Sequence, residues 1–400
     1  MDSKLNINEL GLYIHIPFCH TKCTYCDFNT YTGIENLIDN FSSSICNELE
    51  FWKLKNKKFK LNSIFFGGGT PSYIDSKILA NFLEKIETCF NISDEIEISM
   101  EINPEDVNIQ KANSWKKMGI NRCSLGIQSL NDEELKIINR RHNARKALDS
   151  IDILKNRFDN VSVDLIYGIP KQTLESYLKT LKKIVEKKPT HISSYSLQIE
   201  KGTLLDQQVS NKKFYVATDD ISADMYLLTQ KVLKENNYEH YEISNWSKKG
   251  FKSRHNLKYW TLQPYIGIGP GAHSFIDKTR FSIVKSPKKY IELMRKINQK
   301  KISTVKRKII FLKENNFLDV YESQNKENEI LEYLMLNLRL ENGINTKDFK
   351  NIFGLDFQEL YLDKLRSYIK NNIIIKNNKF YKLSEKGKLF ANEVANNFVE

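Results

Sequence analysis

The sequence predicts an α/β protein: a partial (β/α)6, TIM-like barrel followed by a helical, winged-helix-like C-terminal domain. Three observations carry that expectation. Short apolar, β-branched runs alternate with longer amphipathic stretches through the first half of the 400 residues. Polar and glycine-bearing motifs recur at the carboxyl end of each run, the face on which a parallel barrel carries its site. From about Lys326 the pattern changes to helices followed by a short strand pair.

The expected strands are 11–18, 63–66, 95–102, 122–127, 161–167 and 191–199. Between them, helical periodicity covers 34–54, 76–90, 107–118, 132–154 and 173–187. Parallel strands need long crossovers, and amphipathic helices supply them. In the tail, ILEYLMLNLRL reads as an apolar helix, INTKDFKNIFG and FQELYLDKLRSYIKNN as two more, and IIIKNNKFYKL as a strand pair before a last helix. The expected domains are 1–240 (barrel), 241–325 (capping and connecting region) and 326–400 (winged-helix-like domain).

Hydrophobic content of 40% and charged content of 28% are those of an ordinary globular protein. No apolar run approaches the roughly 18 residues a membrane span needs. The N-terminus lacks the basic start and apolar stretch of a signal peptide. Six cysteines without regular pairing argue against a disulfide framework, so a cytoplasmic protein is expected. The net charge of +12 is spread through stretches such as KLKNKKFKLN, more like solvated lysine faces than a nucleic-acid stripe, and no nucleic-acid partner is expected.

Directly after the first strand stand Cys19, Cys23 and Cys26. Thiolates are the usual ligands of iron–sulfur clusters, and a four-iron cluster takes one Cys per iron. Three ligands on one tight loop would hold three irons and leave the fourth open to a small molecule. Structural zinc would need four ligands in paired clusters, and no second pair exists. His20 lies inside the loop, but its spacing is cramped.

The other strand ends carry Gly67-Gly68-Gly69-Thr70-Pro71, Glu101-Ile102-Asn103-Pro104, Gly126-Ile127-Gln128-Ser129, Asp164 with Gly168-Ile169-Pro170, and Gln198 with Glu200. Consecutive glycines let backbone approach a ligand and present unshielded N–H groups, unless they form only a tight turn. Glu101 can accept from an ammonium or a ribose. Arg140 can fork onto a carboxylate. Gln128 and Asp164 are polar where a filled barrel would hold Val or Leu. For Asp164 the alternative is an internal salt bridge.

The triplet at the end of a first strand, with GGGTP after the second, resembles the radical S-adenosylmethionine superfamily. YIHIPFC, FFGGGTP, LGIQS, DLIYGIPKQT and HNLKYW further resemble its oxygen-independent coproporphyrinogen oxidase-like group, over residues 11 to about 390. The resemblance implies a [4Fe-4S] cluster on Cys19, Cys23 and Cys26, with S-adenosylmethionine on the open iron. It places Tyr25 against the adenine, and Tyr13, Gly68, Gly69, Thr70, Glu101, Gln128, Arg140, Asp164 and Gln198 at the cofactor.

Oxidases of this group carry a fourth cysteine two places after the third; here that position is Phe28, and only about ten residues precede the first strand. Both departures resemble the HemW-type haem chaperone branch, which implies haem as ligand, a haem-acceptor protein and peripheral membrane contact during delivery. The alternative is radical decarboxylation of coproporphyrinogen propionates. In this branch the HNxxYW motif is the implied haem contact, which selects His255; the other reading is a structural histidine in an aromatic corner. Gly267-Ile268-Gly269-Pro270-Gly271-Ala272 imitates a dinucleotide fingerprint, but Pro270 favours a turn at the barrel mouth, with His273 facing the same cavity. His15 is expected to pack beneath the cluster.

Overall fold

The structure, a computed structural model, describes residues 9–54, 59–297, 302–323 and 325–398. Six strands run parallel in chain order: β1 (Glu9–Ile16), β2 (Lys60–Gly68), β3 (Asn91–Ile102), β4 (Arg122–Gln128), β5 (Asn160–Tyr167) and β6 (His191–Ser196). The crossovers carry α1 (Ile38–Trp52), α2 (Ser76–Cys89), α3 (Ile109–Lys117), α4 (Asp132–Ile137), α5 (Ala144–Lys155) and α6 (Leu174–Glu186). Most of these helices start where a side chain can cap them. Asp75, Asn108, Asn131, Asn143 and Thr173 each accept a backbone N–H of the first turn, a contribution of about 1 kcal/mol apiece.

Two expectations are corrected here. The stretch 132–154 is two helices, not one: Asn139 takes a left-handed φ of 57° and ends the first, and the break turns Arg140 and His142 inward. The sixth strand ends at Ser196, so Gln198 and Glu200 lie on the loop beyond it.

The second half contributes α7 (Leu204–Ser210), α8 (Asp219–Glu235), β7 (Glu239–Glu242), β8 (Asn245–Ser247), α9 (Arg254–Trp260), β9 (Tyr265–Ile268), β10 (His273–Ile276), β11 (Thr279–Ile283), α10 (Pro287–Ile297), α11 (Val305–Glu314) and β12 (Leu318–Ser323). The resulting sheet has 12 strands in the order β12-β11-β10-β9-β1-β2-β3-β4-β5-β6-β8-β7. β9 pairs parallel to β1, while β8 pairs antiparallel to β6. Residues 241–325 therefore extend the barrel's own sheet at both ends. Their strands are three to six residues long, too short to show a sequence period.

The tail packs a separate apolar core around Leu334, Phe349, Phe357 and Leu383. Its order is α12 (Lys326–Asn337), β13 (Ile344–Asn345), α13 (Thr346–Phe353), α14 (Phe357–Leu360), α15 (Leu362–Lys370), β14 (Ile374–Asn377), β15 (Phe380–Leu383), α16 (Glu385–Lys388) and α17 (Ala391–Asn397). The three strands form one antiparallel sheet, the succession expected of a winged helix. No helix among the described residues is long and apolar enough to cross a membrane.

Alternation along the strands explains why this barrel holds a site and not a filled core. Successive side chains point to opposite faces. One face reads Leu10-Leu12-Ile14-Ile16, Met100-Ile102, Cys123-Leu125-Ile127 and Val161-Val163-Leu165, all packed in the main core under the helices. The opposite face reads Tyr13-His15, Glu101-Asn103, Arg122-Ser124-Gly126-Gln128, Asp164-Ile166 and Ser193-Tyr195, and these residues line cavities. A TIM barrel fills its interior with branched aliphatics; this one lines it with polar side chains.

Buried acids and imidazoles give the ligand-free chain a definite pH profile. Glu48 on α1 accepts from Gly269 N (2.8 Å) and Tyr290 Oη (2.7 Å), and burial pushes its carboxyl up to about 8. The folded chain keeps a proton there that the unfolded chain has already released. This group's stabilisation is therefore lost progressively as pH rises from about 4.5, the ordinary carboxyl value, through about 8, by roughly 1.4 kcal/mol per pH unit. Burial holds His15 and His240 down to about 4 and His255 to about 3, so the unfolded chain takes up their protons first on acidification. Stability should therefore peak between the two limbs, near pH 6.5, the ordinary imidazole value. Urea midpoints from pH 5 to 9 should show this, and Glu48→Gln, which keeps both acceptor contacts, should make the alkaline limb shallower by the share Glu48 contributes, the buried Glu101 keeping the rest.

Candidate functional site

The carboxyl ends of β1 to β6 surround a cavity of about 440 Å³. Cys19, Cys23 and Cys26 line one side of it, all as free thiols. The loop bearing them is pinned to the end of β2. Gly69 N donates to Ile16 O at 2.7 Å and Thr70 N to Phe18 O at 2.9 Å. A Cβ at Gly69 would stand 2.7 Å from Phe18 O and 3.0 Å from Cys19 Sγ, so only glycine allows this approach. At Gly68, φ is +112° and the N–H donates to Glu101 Oε2 at 2.9 Å. The expectation that these glycines offer free N–H groups to a ligand is thus corrected: both are used internally, to hold the cysteine loop and Glu101.

Each sulfur has a donor at hand. Thr70 Oγ1 donates to Cys19 Sγ (3.4 Å), and Arg140 Nη1 reaches Cys23 Sγ (3.6 Å). Thr30 Oγ1 lies 3.8 Å from Cys26 Sγ. Burial raises the thiol pKa of Cys26 and pushes that of Cys19 up to about 11. Thiols so desolvated give up their protons when cationic iron replaces them, and metal loading releases protons.

Arg140 owes its position to the break between α4 and α5. Its Nη2 also donates to Asn103 Oδ1 (2.8 Å) and to Gly126 O (2.7 Å), while the buried Nε has no partner. Gln128 lines the cavity from a left-handed backbone position, φ 68°, at a register shift in β4. Strain of that kind persists where the surroundings fix it, and it aims a side chain. Asp164 accepts from Ser124 Oγ (2.9 Å) and Ser162 Oγ (3.3 Å), and burial raises its pKa. Serine hydroxyls hold it, where an internal salt bridge was the alternative. Glu101, also buried, is pushed up to about 8. Tyr25 packs against the small apolar cluster of Leu135, Ile138, Ile166 and Ile169 and lines the cavity together with Cys23 and Cys26. Thr70, Gly68, Gly69 and Gln198 complete the lining.

Two of the expected residues are elsewhere. Tyr13 lines a second cavity, of about 550 Å³, that shares Gly68, Glu101 and Phe28 with the first; its hydroxyl bonds His15 Nδ1 at 3.0 Å. His15 packs inside, its Nε2 2.8 Å from Asn29 O.

His255 lies at the amino end of the barrel. Helix α9 plugs that end, with Arg254 N and His255 N both donating to Glu97 at 3.0 and 3.1 Å. The imidazole is fully buried, with Nδ1 2.9 Å from Ser63 Oγ, Nε2 2.9 Å from Tyr259 Oη, and Phe65 stacked at 5.2 Å. Both nitrogens are occupied, so the ring has no lone pair facing an iron. The aromatic-corner alternative describes this geometry. Of the HNxxYW motif, Asn256 reaches the first cavity and Tyr259 the second.

Sequence reasoning missed Arg122, which lines the first cavity and is almost fully buried with Nε and Nη1 unpartnered. Its charge favours the ionised forms of Glu101 and Asp164. The signal was present: Arg122 shares the period-two face of Ser124, Gly126 and Gln128.

A parallel barrel whose strand ends gather three free thiols beside a polar cavity is a radical S-adenosylmethionine scaffold. The Radical SAM superfamily matches residues 13–184, and the HemN C-terminal domain matches residues 324–390. The chain is 35% identical over 393 residues to heme chaperone HemW of Buchnera aphidicola, covering 98% of each. It is 33% identical over 403 residues to heme chaperone HemW of Haemophilus influenzae, again covering 98% of each. This chain belongs to the HemW family of the radical SAM superfamily. The fold is also that of coproporphyrinogen III oxidase (HemN) from Escherichia coli, with a TM-score of 0.81 at 20% identity over 98% of this chain and 90% of that one.

The superfamily's cofactors are a [4Fe-4S] cluster and S-adenosylmethionine, and the residues present fit them. Three thiols face one cavity, each with a hydrogen-bond donor of the kind that tunes a cluster's sulfurs. Among the described residues, no group of His, Cys, Asp or Glu converges on a single metal ion.

Proposed function

We propose that this chain is a haem chaperone: it binds haem and transfers it to an acceptor protein, on a scaffold that keeps a cluster and S-adenosylmethionine. Full-length similarity to relatives named heme chaperone HemW carries this reading. Phe28, where the oxidases resembled carry a cysteine, supports it; the side chain is 63% exposed at the rim shared by the two cavities.

We assign Cys19, Cys23 and Cys26 to the cluster, which when bound supplies an open iron for S-adenosylmethionine and reductive cleavage of its sulfonium. Tyr25 offers the adenine a flat apolar face. Protonated, Glu101 can donate a hydrogen bond; ionised, it can accept from an ammonium. Gln128, Asp164 and Gln198 line the rest of the cofactor's space, and Arg140 holds Cys23 and Asn103 in place. The site of action is cytoplasmic, and contact with a membrane acceptor is peripheral, an encounter that a net charge of +12 favours at an anionic surface.

Cluster-reconstituted chain, loaded anaerobically with hemin and freed of excess by gel filtration, should retain about one haem per chain. It should then lose that haem to an added haem-acceptor protein. Absence of retained haem would refute the reading.

A further inference from the structure

We infer that haem is ligated by His273, in the second cavity, and not by the histidine of the HNxxYW motif. This rests on the haem reading above and adds the site to it.

The argument begins with the chain's seven histidines. Both ring nitrogens are engaged in His15, His191, His240 and His255, by partners within 3.2 Å. His142 is buried, with Nε2 3.0 Å from Ile127 O and Nδ1 facing Glu105 at 3.5 Å. His20 has Nδ1 3.2 Å from Thr21 Oγ1, lies edge-on to Tyr73, and lines neither cavity. His273, the first residue of β10, is exposed and lines the second cavity. It is the histidine that offers a free imidazole to one of the two cavities.

That space suits a flat macrocycle with carboxylate tails. Its volume, about 550 Å³, falls within the usual range of ligand sites. Tyr13, Tyr259 and Tyr265 form aromatic walls, with Tyr259 edge-on to Tyr265 at 4.7 Å. Such faces pack well on a flat ring system. Lys22 and Lys285, both exposed, line this cavity and can meet propionates, beside the acids Asp27 and Glu101; burial raises the pKa of Glu101 to about 8, so at neutral pH it leaves most of its charge off the cavity. Imidazole is a common axial ligand of haem iron.

The backbone holds His273 in place. Gly267 has no room for a Cβ, which would fall 2.2 Å from His273 O, and Gly267 N donates to Ser274 Oγ at 2.9 Å. The GIGPGA turn thus presents His273 at the barrel mouth. Because the two cavities share Lys22, Asp27, Phe28, Thr30, Gly68 and Glu101, haem here would lie directly beside the cofactor cavity.

The test is an anaerobic hemin titration of cluster-reconstituted protein, read as a difference spectrum against the haem-free protein. It compares wild type, His273→Ala, and His273→Ala with added imidazole. The expected result is a histidine-ligated Soret band in wild type, its loss or at least a tenfold weaker affinity in His273→Ala, and recovery of the band with imidazole. His273 makes no side-chain hydrogen bond in the fold, so far-UV circular dichroism of the variant should match wild type. An unchanged Soret band and affinity in His273→Ala would overturn this assignment while leaving haem carriage standing. Failure of wild type to bind hemin would overturn both.

Discussion

His255→Ala is expected to lower the stability of the barrel by about 3–5 kcal/mol. The substitution removes a fully buried ring stacked on Phe65 at 5.2 Å. It also removes the partner 2.9 Å from each of the Ser63 and Tyr259 hydroxyls, and the fully buried Ser63 has no water to replace it. A cavity and an unsatisfied buried hydroxyl add their costs at one place, under a helix that plugs the amino end of the barrel. The urea midpoint of the cluster-free variant reports the loss. Haem ligation by this residue would give the opposite pattern: unchanged stability with a lost Soret band. His255→Gln restores only part of the ring's contacts, so its stability should fall between the two.

Gly69→Ala is expected to leave the fold largely intact and to abolish cluster loading. The added methyl meets Phe18 O at 2.7 Å, Ile16 O at 2.9 Å and Cys19 Sγ at 3.0 Å. Two of these are backbone atoms held by hydrogen bonds, including Gly69 N to Ile16 O itself, so they cannot rotate away. The relief open to the structure is to lift the cysteine loop off β2, which moves Cys19 relative to Cys23 and Cys26. Overpacking of this kind costs on the order of 1–3 kcal/mol, which the large core can absorb. A ligand set displaced by an ångström has lost its geometry. Iron and sulfide analysis after anaerobic reconstitution should find a small fraction of the wild-type content, with near-native circular dichroism. Full loading would show that the strap does not position the loop.

The barrel was legible in the sequence because its signals are local. Six apolar runs with polar ends and intervening amphipathic stretches required a parallel sheet, and the strand ends marked the site-bearing face. What escaped detection depended on distance along the chain. His255 and Ser63 are 192 residues apart, and their hydrogen bond turns an apparent ligand into a structural side chain. The strands β7 to β12 are too short for alternation to register, so the extension of the sheet past β1 and β6 was invisible. Arg122 could have been found by reading every second residue of β4, whose inward face is polar throughout. Arg140 reaches the cysteines because a left-handed Asn139 interrupts what otherwise scans as one long helix.

Family and fold pull in different directions on one point, since the relatives named as haem chaperones and the structurally similar oxidase share this scaffold. The most direct test is an anaerobic assay of the cluster-reconstituted chain with coproporphyrinogen III, a low-potential reductant and S-adenosylmethionine, with porphyrin products resolved by chromatography. Haem carriage predicts that coproporphyrinogen is recovered unchanged. Conversion to a product lacking two propionate carboxyls, dependent on S-adenosylmethionine, would contradict it.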